Sequence, residues 1–128
     1  MKLLLDTHIL IWLVAGSEKL NKTARYAIED ENNSLYFSIA SLWEVTIKIS
    51  LGKLELGMSL EQIMTNFILP SGLKILPIHL SHLSVLKDLP FYHRDPFDRM
   101  LISQAISESL TLISEDEVFS EYAVKTLW

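Results

Sequence analysis

Cysteine is absent from all 128 residues, which excludes disulfide staples, thiolate zinc sites and a thiol nucleophile, and fits a reducing cytoplasm. Also missing is any apolar run near the roughly 20 residues that a membrane span needs. The opening Met1-Lys2-Leu3-Leu4-Leu5 begins like a signal peptide, but Asp6 and His8 interrupt it before an apolar core develops, so it reads as a strand. No repeat, low-complexity tract, linker or shift of composition divides the chain. Its length suits one domain with its own core. Positive charge is scarce: 11 Lys and Arg face 16 Asp and Glu, for a net charge of −5. That balance argues against a protein that coats nucleic acid simply by neutralising phosphates. What remains is an ordinary globular composition, 49% hydrophobic and 21% charged.

Hydrophobic patterning predicts alternating strands and helices. Leu3 to Leu5 is a short continuous apolar run, as in a strand buried on both faces. Thr7 to Ala15 is apolar at helical spacing and stops at Gly16. Asn21 caps a helix reaching about Glu31, with Ala24, Ala27 and Ile28 inward. Leu35 to Ser38 reads as a second strand and is followed by a helix from Ile39 to Ser50. Ser59-Leu-Glu-Gln62 has the form of a capping box, opening a helix that Pro70 ends. Leu73 to Leu76 is the third strand, and Ser81 to Lys87 a short helix. Asp95-Pro96 opens a long helix to about Ser109, with Met100, Leu101, Ala105 and Ile106 buried. Thr111 to Ser114 is the fourth strand, Glu117 to Tyr122 a short helix, and Val124 to Leu127 a possible fifth strand. The predicted fold is α/β, a mostly parallel sheet of four to five strands with helices on both faces.

In such sheets, sites form beyond the carboxyl ends of the strands. Four acids fall there: Asp6 after the first strand, Asp116 after the fourth, and Glu44 and Asp98 in helices that start at the same edge. Carboxylates 4 Å apart repel by roughly 4 kcal/mol at an effective dielectric near 20. A divalent cation offsets that repulsion, so the cluster points to a Mg²⁺- or Mn²⁺-dependent phosphodiesterase.

Each acid also has a bland explanation. Asp6 suits an N-cap. Glu44 suits a capping box with Ser41, or an i,i+4 pair with Lys48 if the helix starts at Ser38. Asp95 caps the long helix while Asp98 reaches back from its third position. Asp116 sits in the acidic stretch Glu115-Asp116-Glu117, and most such stretches are solvated. The joint pattern is what favours a site. Thr7 and Ser114 supply hydroxyls beside it, and Arg94, Arg99, Lys48 and Lys53 are candidate phosphate contacts, Arg99 alternatively bracing the carboxylates. His79 and His82 have helical spacing but no further zinc ligand, and read as a surface pair at a helix entry. His93 reads as a substrate contact or a solvated loop residue. Trp12, Trp43 and Trp128 are assigned to the core or a subunit interface.

The same stretches resemble a PIN domain, specifically the VapC-type toxin ribonucleases of bacterial toxin–antitoxin pairs. The resemblance covers nearly all of residues 1–128. It rests on Leu4-Leu-Asp-Thr-His8, on Ser38-Ile-Ala-Ser-Leu-Trp-Glu44 with Lys48 and Leu51-Gly-Lys-Leu54, on His93-Arg-Asp-Pro-Phe-Asp-Arg99 with Gln104-Ala105, and on Leu112-Ile-Ser-Glu-Asp116. It implies that Asp6, Glu44, Asp98 and Asp116 form the family's acidic quartet, with Thr7 and Ser114 as polar neighbours and Asp95 as a nearby second acid. It further implies a Mg²⁺ or Mn²⁺ cofactor, an RNA substrate, a homodimer, and a small antitoxin that blocks the groove.

The expected reaction is endoribonuclease cleavage by metal-activated water. Asp6, Asp98 and Asp116 serve as principal ligands, and Glu44 as a further ligand or water-orienting group. Three alternatives stand beside it. One is a metal-independent ribonuclease with His8 or His93 as general base. Another is a receiver-like module, disfavoured because Thr7 and His8, not acids, follow Asp6. The third is a catalytically silent fold that only binds partners.

Overall fold

The computed structural model describes residues 1–128. A parallel sheet runs through its centre, with strands β1 (Lys2–Leu5), β2 (Ser34–Ser38), β3 (Lys74–Leu76), β4 (Thr111–Ile113) and β5 (Thr126–Leu127). Their spatial order is β3-β2-β1-β4-β5, and every pairing is parallel. Leu5 lies level with Phe37 of β2 and with Ile113 of β4. The chain moves outward from β1 to β2 and β3, then crosses back to β4. The order therefore reverses between β1 and β4, where open parallel sheets hold their ligands.

Six helices cover the sheet: α1 (Thr7–Ala15), α2 (Lys22–Glu29), α3 (Ile39–Ser50), α4 (60–71), α5 (Leu80–Asp88) and α6 (Pro96–Glu108). Local chemistry sets their ends. Gly16 takes the left-handed conformation that closes α1 (φ 65°). Asn21 accepts the Ala24 N–H at 2.8 Å to start α2, and Ser38 accepts the Ala40 N–H at 3.0 Å to start α3. Ser59 and Gln62 form the reciprocal capping box at the start of α4.

Side-chain alternation along the strands builds two cores. Leu3, Leu5, Leu35, Phe37 and Ile113 point to the face covered by α1, α2 and α4, where Ile9, Leu10, Ala24, Ile63 and Ile68 meet them. Leu4 and Leu112 point to the other face, against Leu101, Ile102 and Ala105 of α6 and Phe119 and Tyr122 beyond β4. Both faces of the central strand β1 are buried, which is why Leu3–Leu5 reads as an unbroken apolar run, whereas Lys74 and Ile75 of the edge strand β3 are exposed. No helix is long and apolar enough to cross a membrane.

Several local expectations are corrected. Pro70 does not end α4, which runs on to Ser71 and closes at Gly72 (φ 76°). The turn before it widens to π geometry over Met64–Ile68, with the Leu69 N–H bonded to the Met64 carbonyl. Widening relieves the clash that a proline ring makes with the carbonyl four residues back. α2 stops at Glu29 rather than near Glu31, and β5 is only Thr126–Leu127. His79 and His82 are not a surface pair. His82 is fully buried where α5 crosses α6, its Nε2 2.9 Å from Glu108 and its Nδ1 accepting the His79 N–H. The tryptophans divide: Trp12 is partly buried against the first core and pairs with Trp128, while Trp43 is 59% exposed and stands edge-on to Phe97.

Leu4 is fully buried in the central strand, whereas Leu80 is 79% exposed. Leu4→Ala is expected to destabilise the fold by about 3 kcal/mol, and Leu80→Ala by no more than about 0.5 kcal/mol. Urea denaturation of the two variants checks both values.

Candidate active site

The parallel register brings the carboxyl ends of β1, β2 and β4 to one edge, and the acids follow from what comes next in each chain segment. Asp6 leaves β1 with its N–H donated to the Ile113 carbonyl of β4 at 3.0 Å. Only 3% of Asp6 is exposed. Although it holds the N-cap position of α1, its side chain caps nothing. Instead, Oδ2 accepts a hydrogen bond from Ser114 Oγ at 2.8 Å. Ser114 in turn accepts the Asp116 N–H at 3.1 Å, which sets the turn after β4. Asp116 lies on the exposed side of that turn, with Oδ1 accepting the Val118 N–H at 3.0 Å.

α3 starts at Ser38, so Glu44 falls well inside the helix and the capping box with Ser41 does not form. Ser41 is buried and takes a hydrogen bond from Thr7 Oγ1 at 2.9 Å, fastening the β1–α1 junction to α3. The Thr7 hydroxyl is thereby committed to the scaffold rather than to the open groove. The Glu44 carboxylate is largely buried and pairs with Lys48 Nζ at 3.5 Å, as i,i+4 spacing allows. Asp95 does cap α6, accepting the Phe97 and Asp98 N–H groups at 2.9 and 3.0 Å. Asp98 does not reach back to complete a box; its Oδ2 meets His93 Nε2 at 3.2 Å.

Arg99 departs from expectation. Its guanidinium touches none of the carboxylates directly. The side chain is 4% exposed and points to the back of α6, where its guanidinium donates to the carbonyls of Leu89 and Pro90 and stacks 3.9 Å from the Phe91 ring. One step along a helix turns a side chain by about 100°, so adjacent Asp98 and Arg99 serve different spaces. Arg94 and Lys53 are exposed and enter no ion pair. His8 is exposed on α1, near enough for its charge to favour ionised Asp6. Tyr122, which reaches His93 and Arg99 through its hydroxyl, and Ser41 were missed from sequence. Tyr122 lies outside every motif, and only the buried face of the turn after β4 hints at it.

The electrostatics report the convergence directly. Burial pushes the Asp98 carboxyl up to about 8, and the charges of Asp95, Asp6, Glu44 and Asp116 add to the rise. Asp6 is also raised, by burial first and by Glu44 in part, against the hydrogen bond from Ser114, the charge of His8 and the Thr7 backbone N–H. Five acids from four chain segments thus act on one space, and Lys48 is the only lysine or arginine paired with any of them. No three Asp, Glu or His side chains are drawn together closely enough to chelate an ion as they stand. The donor set is all hard oxygen, with more carboxyl groups than cations, which fits Mg²⁺ or Mn²⁺ rather than a soft metal. The widest cavity, about 470 Å³, lies elsewhere, between α5 and the end of α6.

The sequence matches the family model of the PIN domain over residues 3–125. No curated protein sequence matches the chain. Among solved structures, a chain of VapBC2 from Rickettsia felis bound to a DNA fragment from their promoter superposes with TM-score 0.72 at 19% identity, covering 98% of this chain and 97% of that one. A chain of FitAcB from Neisseria gonorrhoeae gives TM-score 0.69 at 21% identity over 97% and 95%. DNA-bound VapBC from Salmonella typhimurium gives 0.67 at 18% over 98% and 96%. At such identities the likeness concerns the fold.

A raised carboxyl makes the folded protein hold a proton that the unfolded chain has released. Stability therefore falls as pH rises from about 4, the usual carboxylate value, towards about 8, the folded value for Asp98. In chelator-treated protein, Asp98→Asn is expected to flatten this slope. Its melting temperature should match wild type near pH 4 and exceed it by several degrees at pH 8. A wild-type protein that gains stability over Asp98→Asn across that window would contradict the electrostatic picture.

Proposed function

The chain belongs to the PIN domain family, and from that premise we propose that it is a divalent-metal-dependent endoribonuclease, the toxin half of a toxin–antitoxin pair. The observation that carries the reading is the set of acids whose charges converge on Asp98 and raise its carboxyl to about 8. Such a set weakens the fold unless a cation relieves it, so it makes sense as machinery rather than as scaffold. Asp6, Asp98 and Asp116 are the proposed metal ligands, with Glu44 as a further ligand or as the group that orients water. When bound, Mg²⁺ or Mn²⁺ supplies charge neutralisation at the scissile phosphate and activation of the attacking water.

The chain's own residues do the rest. Ser114 fixes the Asp6 carboxylate by its hydrogen bond to Oδ2. Lys48 balances Glu44 until substrate arrives. Exposed Arg94 and Lys53 are the proposed phosphate contacts, and Arg99 is withdrawn from that role by its burial. The partners proposed from the family resemblance are RNA, a small antitoxin that covers the acidic groove, and a second copy of the chain. Surface side chains such as Trp43, Leu69 and Leu80 offer apolar area for protein partners to cover.

A phosphodiester cut by water rather than by the ribose 2′-hydroxyl leaves a 5′-phosphate and a 3′-hydroxyl. The purified protein is expected to cut single-stranded RNA with those ends in Mn²⁺, and to lose cleavage in EDTA. Asp98→Asn and Asp6→Asn should each lower the rate by roughly a hundredfold or more and relieve growth arrest on expression. Cleavage that survives EDTA, or 2′,3′-cyclic ends, would transfer the chemistry to His8. An inactive wild type that still binds an antitoxin would mark a silent fold.

A further inference from the structure

Behind the acidic edge, four side chains from three segments make a hydrogen-bonded chain: Arg99 in α6, Tyr122 after the 3₁₀ turn Glu117–Glu121, His93 in the loop before α6, and Asp98. Resting on the metal-site reading above, we propose that Tyr122 and His93 are positioning residues that aim one oxygen of Asp98 at the bound cation, by orienting the imidazole so that Nε2 donates to the other oxygen.

The hydrogen bonds determine which nitrogen carries the proton. The Tyr122 hydroxyl oxygen receives two N–H donors, the His93 backbone N–H at 3.2 Å and Arg99 Nη1 at 3.3 Å. With both lone pairs occupied, the hydroxyl offers its own proton, and the nearest acceptor is His93 Nδ1 at 2.7 Å. Nδ1 is therefore bare and Nε2 carries the hydrogen, which it donates to Asp98 Oδ2 at 3.2 Å. A proton on Nδ1 would put a third donor on the Tyr122 oxygen and strand the phenol hydrogen. Arg99 itself is fixed by two carbonyls, Leu89 O at 3.1 Å and Pro90 O at 2.7 Å, so the chain has an immobile origin. The imidazole is held from the sides as well, edge-on to Tyr122 at 5.5 Å and to Phe119 at 6.5 Å between ring centres.

The consequence is directional. Oδ2 of Asp98 is occupied by the His93 Nε2–H, and Oδ1 has no hydrogen-bond partner within the chain. Outer partners of this type orient metal ligands and typically change metal affinity by about 10- to 100-fold when removed. The network also gives buried Arg99 a purpose that neither phosphate binding nor carboxylate bracing supplies.

The test is calorimetric titration of Mn²⁺ into chelator-stripped, full-length protein, with melting temperatures of the metal-free forms alongside. Tyr122→Phe leaves Arg99 its two carbonyls and removes only the hydroxyl; it is expected to weaken Mn²⁺ binding by about tenfold. His93→Ala should weaken it at least as much. His93→Gln, which can present an amide N–H near the place of Nε2, should recover most of the loss. Tyr122→Phe and His93→Ala that bind Mn²⁺ like wild type, while Asp98→Asn does not bind, would overturn the positioning role and leave the metal site standing. Wild-type protein that takes up no Mn²⁺, or Asp98→Asn that binds unchanged, would remove the metal site and this proposal with it.

Discussion

The hydrogen bond from Ser114 to Asp6 joins residues 108 positions apart across the line where the sheet's chain order reverses. It exists because β1 and β4 lie side by side and parallel, with Leu5 level with Ile113. Were β4 to slip by one residue, its side chains would exchange faces, and Ser114 would leave the groove along with the turn that carries Asp116. The two-sided burial of Leu4 and Leu5 against separate cores makes that slip expensive. The site is thus secured by hydrophobic register, and polar bonds only finish what the register sets.

Most of the fold is legible in the sequence where physical rules act locally. An unbroken apolar run marks β1, because both of its faces are covered, and Ser38, Asn21, Ser59 and Asp95 mark helix starts through caps that all form. From alternation alone, the acids were assigned to a common edge, and the electrostatic coupling at Asp98 joins the same residues. What stayed hidden depends on which way a side chain turns inside a tertiary contact. Arg99 looks like an active-site cation in Asp95-Pro-Phe-Asp-Arg99, yet the unpaired carbonyls of Leu89 and Pro90 draw it to the opposite side of α6. His82 looks like a solvated partner of His79 until Glu108, 26 residues away, arrives beside it. Pro70 looks like a stop, and the π turn that accommodates it has no short signature.

Net charge and site charge have to be considered together. A chain of net charge −5 repels a polyanion at long range, although screening over about 8 Å at physiological salt weakens that effect. At short range the sign of the groove depends on what it holds. Filled with a divalent ion, the acids present cationic character to a phosphate; with Lys48 attached to Glu44 and Arg99 buried, the protein lends few cations of its own. The proposed nuclease would therefore depend on the ion for substrate affinity as well as for chemistry, and the exposed Arg94 and Lys53 would tune the approach of the backbone rather than drive it.

The same constraint separates machinery from scaffold. A fold kept only for binding partners would gain by replacing Asp98 with a neutral residue, since burial and four neighbouring acids all penalise its charge. Nothing in the packing demands a carboxylate there: the helix is capped by Asp95, and an amide oxygen could accept from His93 equally well. Yet the chain carries Asp98 there, with a run of hydrogen bonds behind it from Arg99 through Tyr122 and His93 that fixes its direction. A buried carboxyl whose ionisation is disfavoured, yet whose direction is fixed, is intelligible when something from outside the chain supplies the positive charge that lets it ionise, and strained groups of this kind concentrate at functional sites. A divalent cation would meet the requirement with the hard-oxygen chemistry that the acids offer.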